Sequence, residues 1–218
     1  MKIASEGLFF IYPGAVVFVI LLILYIVLDL AVLIYPVVAS AIFLGFTLFF
    51  FRDPERNAPD ISRALLAPAD GKIIALDNTI PGYLNGFNTR LSIFLSMLNV
   101  HVNRIPTSGI IQRLEYHPGQ FKPAFTEKAA ELNEHTIIEI DNKYGRIGLC
   151  QRAGTIARRI VCNLSKGQRV NRGERFGMIR FGSRVDVYMP ENVRTFSRIG
   201  DRVKAGETVI GEFAIDES

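Results

Sequence analysis

The chain reads G-Q-R-V-N-R-G-E from Gly167 to Glu174 and G-D-R-V-K-A-G-E from Gly200 to Glu207. Both segments have the form G-x-R-V-x-x-G-E. Glycine adopts the positive φ angles of tight turns without a steric penalty, and valine suits a buried position. The repeat therefore predicts two equivalent turns that join antiparallel strands.

A second turn form, P-x-x-G-x-I, also occurs twice, beginning at Pro68 and at Pro106. Together the two forms resemble the turns of biotinyl/lipoyl-like barrel-sandwich domains. A carrier domain of that kind displays a modifiable lysine in a Met-Lys or Asp-Lys-Ala turn, and this sequence has no such turn. The resemblance therefore concerns the fold alone.

Short apolar runs bounded by Gly, Pro and Asn predict β-strands in the same part of the chain. A hairpin turn is expected at Asp141–Gly145. The soluble part is thus predicted to be mostly β. The predicted strands are Ile73–Leu76, Leu91–Val102, Thr136–Ile140, Arg146–Cys150, Thr155–Cys162 and Arg184–Met189.

Two apolar runs precede the β-rich part. Gly7–Leu28 and Leu30–Phe51 contain no charged residue, and only Asp29 separates them. Each run exceeds the roughly 20 residues that a helix needs to cross a bilayer, and both are longer than the apolar region of a signal peptide. We expect a transmembrane helical hairpin over residues 1–51 and a soluble domain over residues 52–218.

The basic residues that flank the hairpin predict its orientation. Lys2 precedes the first span, Arg52, Arg56 and Arg63 follow the second, and the turn between the spans has no Lys or Arg. The positive-inside rule therefore places both chain ends in the cytoplasm. The net charge of +4 is distributed without a Lys/Arg cluster. Anionic lipid is thus a more natural partner than nucleic acid.

Gly182-Ser183 lies between the two repeats, where a Gly-Ser pair alone is an ordinary turn or bulge. Its context resembles the phosphatidylserine decarboxylase family, in the short bacterial form, across residues 48–213. The matching motifs are Phe51-Arg52-Asp53-Pro54-Glu55-Arg56, Ala67-Pro68-Ala69-Asp70-Gly71, Asn99-Val100-His101-Val102-Asn103-Arg104-Ile105-Pro106 and Phe181-Gly182-Ser183. This resemblance implies the bacterial inner membrane, with the catalytic domain on the cytoplasmic face.

The resemblance implies a self-cleaving enzyme that converts phosphatidylserine to phosphatidylethanolamine. Its cofactor would be a pyruvoyl group made from Ser183, and no metal is expected. Cleavage after Gly182 would give fragments 1–182 and 183–218, which stay together as a heterodimer, with a higher oligomer left open. The family assigns the base to His101 and its orientation to Asp70.

One position departs from the longer bacterial members, which carry two histidines as D-Y-H-x-x-H. This chain has His101 followed by Arg104 at the second place. Either His101 serves both self-cleavage and decarboxylation, or another residue takes one task, with His117 the first reserve. Because guanidinium suits phosphate oxygens, Arg184 and Arg104 are candidates to hold the lipid phosphate.

Two other classes of function compete with the decarboxylase. A membrane-tethered barrel-sandwich scaffold would stay uncleaved. Such a scaffold is expected to carry long coiled-coil heptad repeats, and this sequence has none. A membrane-bound serine hydrolase could use Ser183, His101 and Asp70. It would lack the G-x-S-x-G elbow, because Val185 stands where the second glycine belongs.

Overall fold

A computed structural model describes residues 2–122, 132–154, 159–180 and 182–214. The chain divides into two compact units, Met1–Glu55 and Arg56–Ser218. Phe181, which belongs to the cleavage motif, lies outside the described residues, as do residues 155–158 of one predicted strand.

The first unit consists of two apolar helices, α1 (Ser5–Leu28) and α2 (Ile34–Phe50), joined by a short 3₁₀ turn. Asp29, which separates the two apolar runs in the sequence, adopts a left-handed conformation after α1. Strand β1 (Lys2–Ile3) pairs with β2 (Arg52–Asp53), so the two ends of the helix pair are held together. By length and composition, both helical segments could cross a membrane.

The second unit is built mainly of strands, as the sequence predicts. In chain order the described strands are β3 (Ala64–Leu66), β4 (Gly71–Asp77), β5 (Thr89–Leu95), β6 (Val102–Arg104), β7 (Gly109–His117), β8 (His135–Asn142), β9 (Gly145–Ala153), β10 (Ile160–Cys162), β11 (Arg169–Val170), β12 (Arg175–Ile179), β13 (Ser183–Met189), β14 (Val193–Thr195), β15 (Arg202–Val203) and β16 (Val209–Phe213). The predicted hairpin at Asp141–Gly145 is confirmed by the pairing of β8 with β9.

One large sheet and two small ones contain these strands. The large sheet has the order β11-β7-β8-β9-β13-β5-β4-β15, and the small sheets have the orders β10-β12-β6 and β14-β16-β3. Apolar side chains from all three sheets form one core cluster, among them Val185 and Val187 of β13, Phe176 of β12 and Ile210 of β16. Burying a side chain of this size contributes about 1.5–3 kcal/mol.

The G-x-R-V-x-x-G-E repeat occupies equivalent places in this arrangement. All four of its glycines have positive φ, and Val170 and Val203 are buried, as predicted. The repeats are not simple hairpin turns, however. Each contains a short strand that pairs with the start of a distant strand, β11 with β7 and β15 with β4. These partner strands begin in the two P-x-x-G-x-I segments, so the two repeated motifs of the sequence meet in space.

The prediction of one strand over Leu91–Val102 is wrong. Strand β5 ends at Leu95, and β6 begins only at Val102. Between them, the backbone N and Oγ of Ser96 donate to Asn99 Oδ1 over 2.9 and 2.7 Å, and the backbone N of Asn99 donates to the Ser96 carbonyl over 3.0 Å. An asparagine that satisfies local backbone groups favours a turn over a continued strand. This turn leads directly to His101.

Candidate active site

Ser183 begins β13, near the centre of the large sheet. It pairs with Leu95 of β5 on one side and with Ala153 of β9 on the other. Because strand side chains alternate, Ser183 shares the core-facing side with Val185 and Val187. Ser183 is fully buried, and its Oγ has no hydrogen-bond partner among the described residues. Such a hydroxyl costs about 1–3 kcal/mol, so its retention points to function.

Gly182 precedes this serine in a conformation that other residues rarely adopt. Its φ is +67°, while a Cβ built on it would meet no atom within 4 Å. The requirement for glycine therefore comes from the backbone angle and not from lack of space. A backbone angle that favours glycine therefore lies immediately before a buried hydroxyl that has no partner among the described residues.

His101 brings a titratable ring to the same point. It is fully buried, and its Nε2 lies 3.4 Å from the backbone N of Gly182. Its Nδ1 lies 3.0 Å from the carbonyl O of Asn99. A carbonyl oxygen can only accept, so in the neutral ring Nδ1 carries the proton and Nε2 is the acceptor. The basic nitrogen of His101 therefore faces the Gly182–Ser183 segment.

Asp70 lies at the same end of the large sheet as Ser183. It precedes β4, whose Lys72 pairs with Phe94, the residue before Leu95. Asp70 Oδ1 accepts from the backbone N of Ala205 over 2.8 Å. Its Oδ2 accepts from Arg56 over 2.9 Å.

Arg56 was not predicted as a site residue, although it stands in one of the family motifs. It also forms an ion pair with Glu207 of the second repeat, at 3.0 Å. Its side chain is only 10% exposed, so these ion pairs are largely shielded from solvent. The family motif around Arg56 is the one sequence feature that could have pointed to it as a site residue. No local sequence pattern indicated which carboxylates Arg56 would bind.

The two arginines predicted to hold the lipid phosphate are engaged elsewhere. Arg184 is fully buried and follows Ser183, so its side chain lies on the opposite face of the sheet. Its guanidinium donates to Asp186 over 2.5 Å and to Ser92 over 2.9 Å. Arg104 donates to the carbonyl of Gly173 over 3.0 Å. These placements do not support a phosphate-binding role, which stays a prediction.

A buried ionic cluster lies behind Ser183 on this opposite face. Asp186 accepts from Arg184 and, over 2.7 Å, from Arg152 of β9. Burial alone would raise the pKa of the Asp186 carboxyl, but the two guanidinium groups hold this pKa below its usual value. Burial beside Asp186 raises the pKa of Tyr188, which stays protonated. The cluster joins β13 to both neighbouring strands.

His117, the reserve catalytic residue, is also on the opposite face. It pairs across strands with His135, His135 pairs with Arg152, and Arg152 pairs with Arg184. The rings of His117 and His135 stack at 4.8 Å. Burial lowers the pKa of His135, so this ring is neutral near pH 7. Of the three histidines in the chain, His101 is the one that the structure brings to Gly182 and Ser183.

A cavity of about 500 Å³ lies at the other end of the large sheet. Its lining includes Gly109, which begins β7, and Asn142, which ends β8. Ser183 lies at the opposite end of the neighbouring strands, so this cavity is separate from Ser183 and His101. Its position gives no reason to move the chemistry away from Ser183.

Asp186→Asn is expected to destabilise the protein by about 3 kcal/mol or more, because it leaves two buried guanidinium groups without their carboxylate. The lowered pKa means that this stabilisation is present above about pH 4 and is lost as pH falls through the folded value. Urea unfolding in detergent micelles at pH 7 measures the effect. Glu115→Gln is the control, since its pair with Arg113 is exposed and should cost at most about 1 kcal/mol.

Comparison with known proteins identifies the family of the chain. A family profile described as phosphatidylserine decarboxylase matches residues 43–211. The phosphatidylserine decarboxylase proenzyme of Chlorobium limicola is 49% identical over 174 residues, which cover 80% of this chain and 82% of that protein. The proenzyme of Gluconacetobacter diazotrophicus is 45% identical over 177 residues, or 79% of each chain. The chain therefore belongs to the phosphatidylserine decarboxylase family.

Proposed function

We propose that this chain is a proenzyme that cleaves itself between Gly182 and Ser183 and then decarboxylates phosphatidylserine to phosphatidylethanolamine. The observation that carries the proposal is the buried Ser183 hydroxyl, which has no partner among the described residues and follows a glycine with a positive φ angle. The basic nitrogen of His101 lies 3.4 Å from the Gly182 amide. Family membership supplies the reaction class.

Self-cleavage begins with attack of Ser183 Oγ on the carbonyl carbon of Gly182. His101 Nε2 takes the hydroxyl proton, the Gly182–Ser183 amide bond breaks, and the proton passes to the released nitrogen. The product is an ester between Gly182 and the side chain of residue 183. A free serine is a weak nucleophile and needs such a base within hydrogen-bond reach. The Nδ1 contact with Asn99 keeps Nε2 unprotonated. In the structure Nε2 accepts from the Gly182 amide and not from Ser183 Oγ, so the proposed step requires Nε2 to shift its contact from this amide to the neighbouring hydroxyl.

The ester then loses the α-proton of residue 183, and its C–O bond breaks. Gly182 leaves as a carboxylate, and residue 183 becomes dehydroalanine. Water converts the dehydroalanine to a pyruvoyl group and releases ammonia. The site fits this group, because the Oγ that is lost in the reaction makes no hydrogen bond among the described residues. Its loss therefore costs the fold little.

A pyruvoyl ketone supplies an electron sink for the electrons that remain when CO₂ leaves an amine substrate. The chain's own part is to exclude water and to move protons at residue 183. His101 is buried beside residue 183, so it is the group proposed to return a proton to the α-carbon. One histidine would then serve both reactions, which is consistent with Arg104 standing where longer family members have a second histidine.

Asp70 is proposed to set the orientation of His101, as the family resemblance implies. Its position at the Ser183 end of the sheet supports this role. The side chain of Arg56 and the backbone amide of Ala205 fix the position of the Asp70 carboxylate. A fixed anion near a catalytic imidazole stabilises the imidazolium that forms when the ring takes a proton.

Cleavage would leave fragments 1–182 and 183–218 as a heterodimer. Strand β13 of the small fragment pairs with β5 and β9 of the large fragment, and β15 and β16 pair with β4 and β3. These ladders cross the cut and need no covalent connection at residue 183. The paired repeat motifs also support the proposed barrel-sandwich-like architecture of the domain.

The apolar helices α1 and α2 are proposed to span the bacterial inner membrane as a hairpin over residues 1–51. Most of their large apolar side chains are exposed in the isolated chain, as lipid contact requires. The flanking arginines favour a cytoplasmic location for residues 52–218. A lipid substrate could then reach the site without leaving the membrane surface.

Ser183→Ala is expected to abolish both self-cleavage and CO₂ release from phosphatidylserine, because the nucleophile and the pyruvoyl precursor are the same residue. Denaturing gels and trapping of labelled CO₂ measure the two losses. Ser165→Ala, which changes an exposed serine, is the matched control and should be processed normally. An uncut Ser183→Ala protein that still releases CO₂ would contradict the mechanism.

His101→Gln is expected to slow self-cleavage by about 10²–10⁴-fold, the usual contribution of a general base. The rate is measured by following the fragments over time after cell-free synthesis in the presence of lipid. The matched variant His117→Gln removes the reserve histidine on the opposite face and should be processed at the normal rate. Equal slowing in both variants would reject the assignment to His101.

A further inference from the structure

We propose that four apolar side chains beside residue 183 form a docking surface for the bilayer interface. These residues, named here the apolar rim, are Met97, Leu98, Phe121 and Leu132, and all four are exposed. The inference rests on the proposed function, since it takes a membrane phospholipid as the substrate. The rim consists of two tips, one on each side of Ser183.

The first tip follows Leu95, one of the two cross-strand partners of Ser183. Met97 and Leu98 occupy the turn that Asn99 closes by accepting two hydrogen bonds from Ser96. Leu98 is 68% exposed. The turn therefore holds the Leu98 side chain in solvent. This turn connects β5, the strand beside Ser183, to His101.

The second tip lies beyond Ala153, the other cross-strand partner of Ser183. Asn133 is buried, and its Nδ2 donates to the Ala153 carbonyl over 2.7 Å and to the Lys122 carbonyl over 2.8 Å. Its Oδ1 accepts from the backbone N of Lys122 over 2.8 Å. Phe121 and Leu132 adjoin these residues in sequence, with exposed fractions of 37% and 42%.

Both tips are thus fixed by asparagine side chains, and both present apolar groups to the solvent. One exposed leucine is ordinary in a soluble protein. Four such side chains, fixed on both sides of a single buried nucleophile, call for an apolar partner.

The partner that fits the rim is the interfacial layer of a bilayer. Phosphatidylserine carries its reacting carbon in the polar head group and its acyl chains in the hydrocarbon, and residue 183 is buried in the protein. Contact between the rim and the interface brings the head group to the protein while the acyl chains stay in lipid. Lys122, next to Phe121, adds a positive charge that favours anionic lipid.

Tryptophan fluorescence tests this contact directly, because the chain contains no tryptophan. Leu98→Trp and Ile199→Trp place single reporters at sites of similar exposure, 68% and 63%. Ile199 lies in the turn before the edge strand β15, two strands from β5 in the order of the large sheet, and its neighbour Gly200 donates to Ile73 inside β4. In nanodiscs with acyl-brominated lipid, residue 98 should be quenched and residue 199 should not. The proposal would be overturned if the fluorescence of Trp at position 98 were not quenched in active enzyme. It would also be overturned if that position were shielded only by self-association of the protein.

Kinetics on two forms of the substrate give a second test. For the fully processed double variant Leu98→Ser/Phe121→Ser, kcat/KM should fall about tenfold on phosphatidylserine in vesicles. On a short-chain phosphatidylserine below its micelle concentration, kcat/KM should stay within about twofold of the wild type. Ile199→Ser is the matched control and should behave as wild type on both.

The two substrates also separate this inference from the proposed function. Equal losses on vesicles and on monomeric substrate, or no loss on either, would reject the rim as a bilayer contact. A wild-type protein that is inactive on both substrates would reject the decarboxylase function itself.

Discussion

The pairing of β13 with β5 and β9 determines where residue 183 can be and what surrounds it. The antiparallel ladder sets Ser183 between Leu95 and Ala153, with its side chain in the dry core. A hydroxyl kept there without a partner among the described residues would be a poor choice for stability alone. Its value lies in reaction, because it is held next to a glycine carbonyl that it can attack.

The same ladder would hold the fold together after the proposed cut in the backbone. A newly formed chain end usually frays, but here the second residue of the small fragment is Arg184. Arg184 binds Asp186, and Asp186 binds Arg152 of the neighbouring strand. This buried cluster and the strand ladder hold the new terminus beside His101. A cluster that looks purely structural thus supports the geometry of the site.

Local sequence patterns predicted what depends on local physics. Turn glycines, buried valines and alternating strands follow from backbone sterics and burial, and the repeat therefore predicted its positive φ angles and its core positions. The pairing of Arg56 with Asp70 and of Arg184 with Asp186 could not be read in this way. Alternation separates Ser183 from Arg184 by face, but the strands that flank β13 on each side, β5 and β9, are distant from it in sequence. The turn at Ser96–Asn99 was missed because it interrupts an apolar run without Gly or Pro.

The central claim is that the backbone breaks at Ser183 and leaves a keto group at the new chain end. Mass spectrometry of purified, active protein tests this most directly. The account predicts a small fragment 183–218 that is lighter by one ammonia than the unmodified peptide and is resistant to Edman degradation. An active protein that contains an intact Gly182–Ser183 bond, or a small fragment that begins with an unmodified serine, would contradict it.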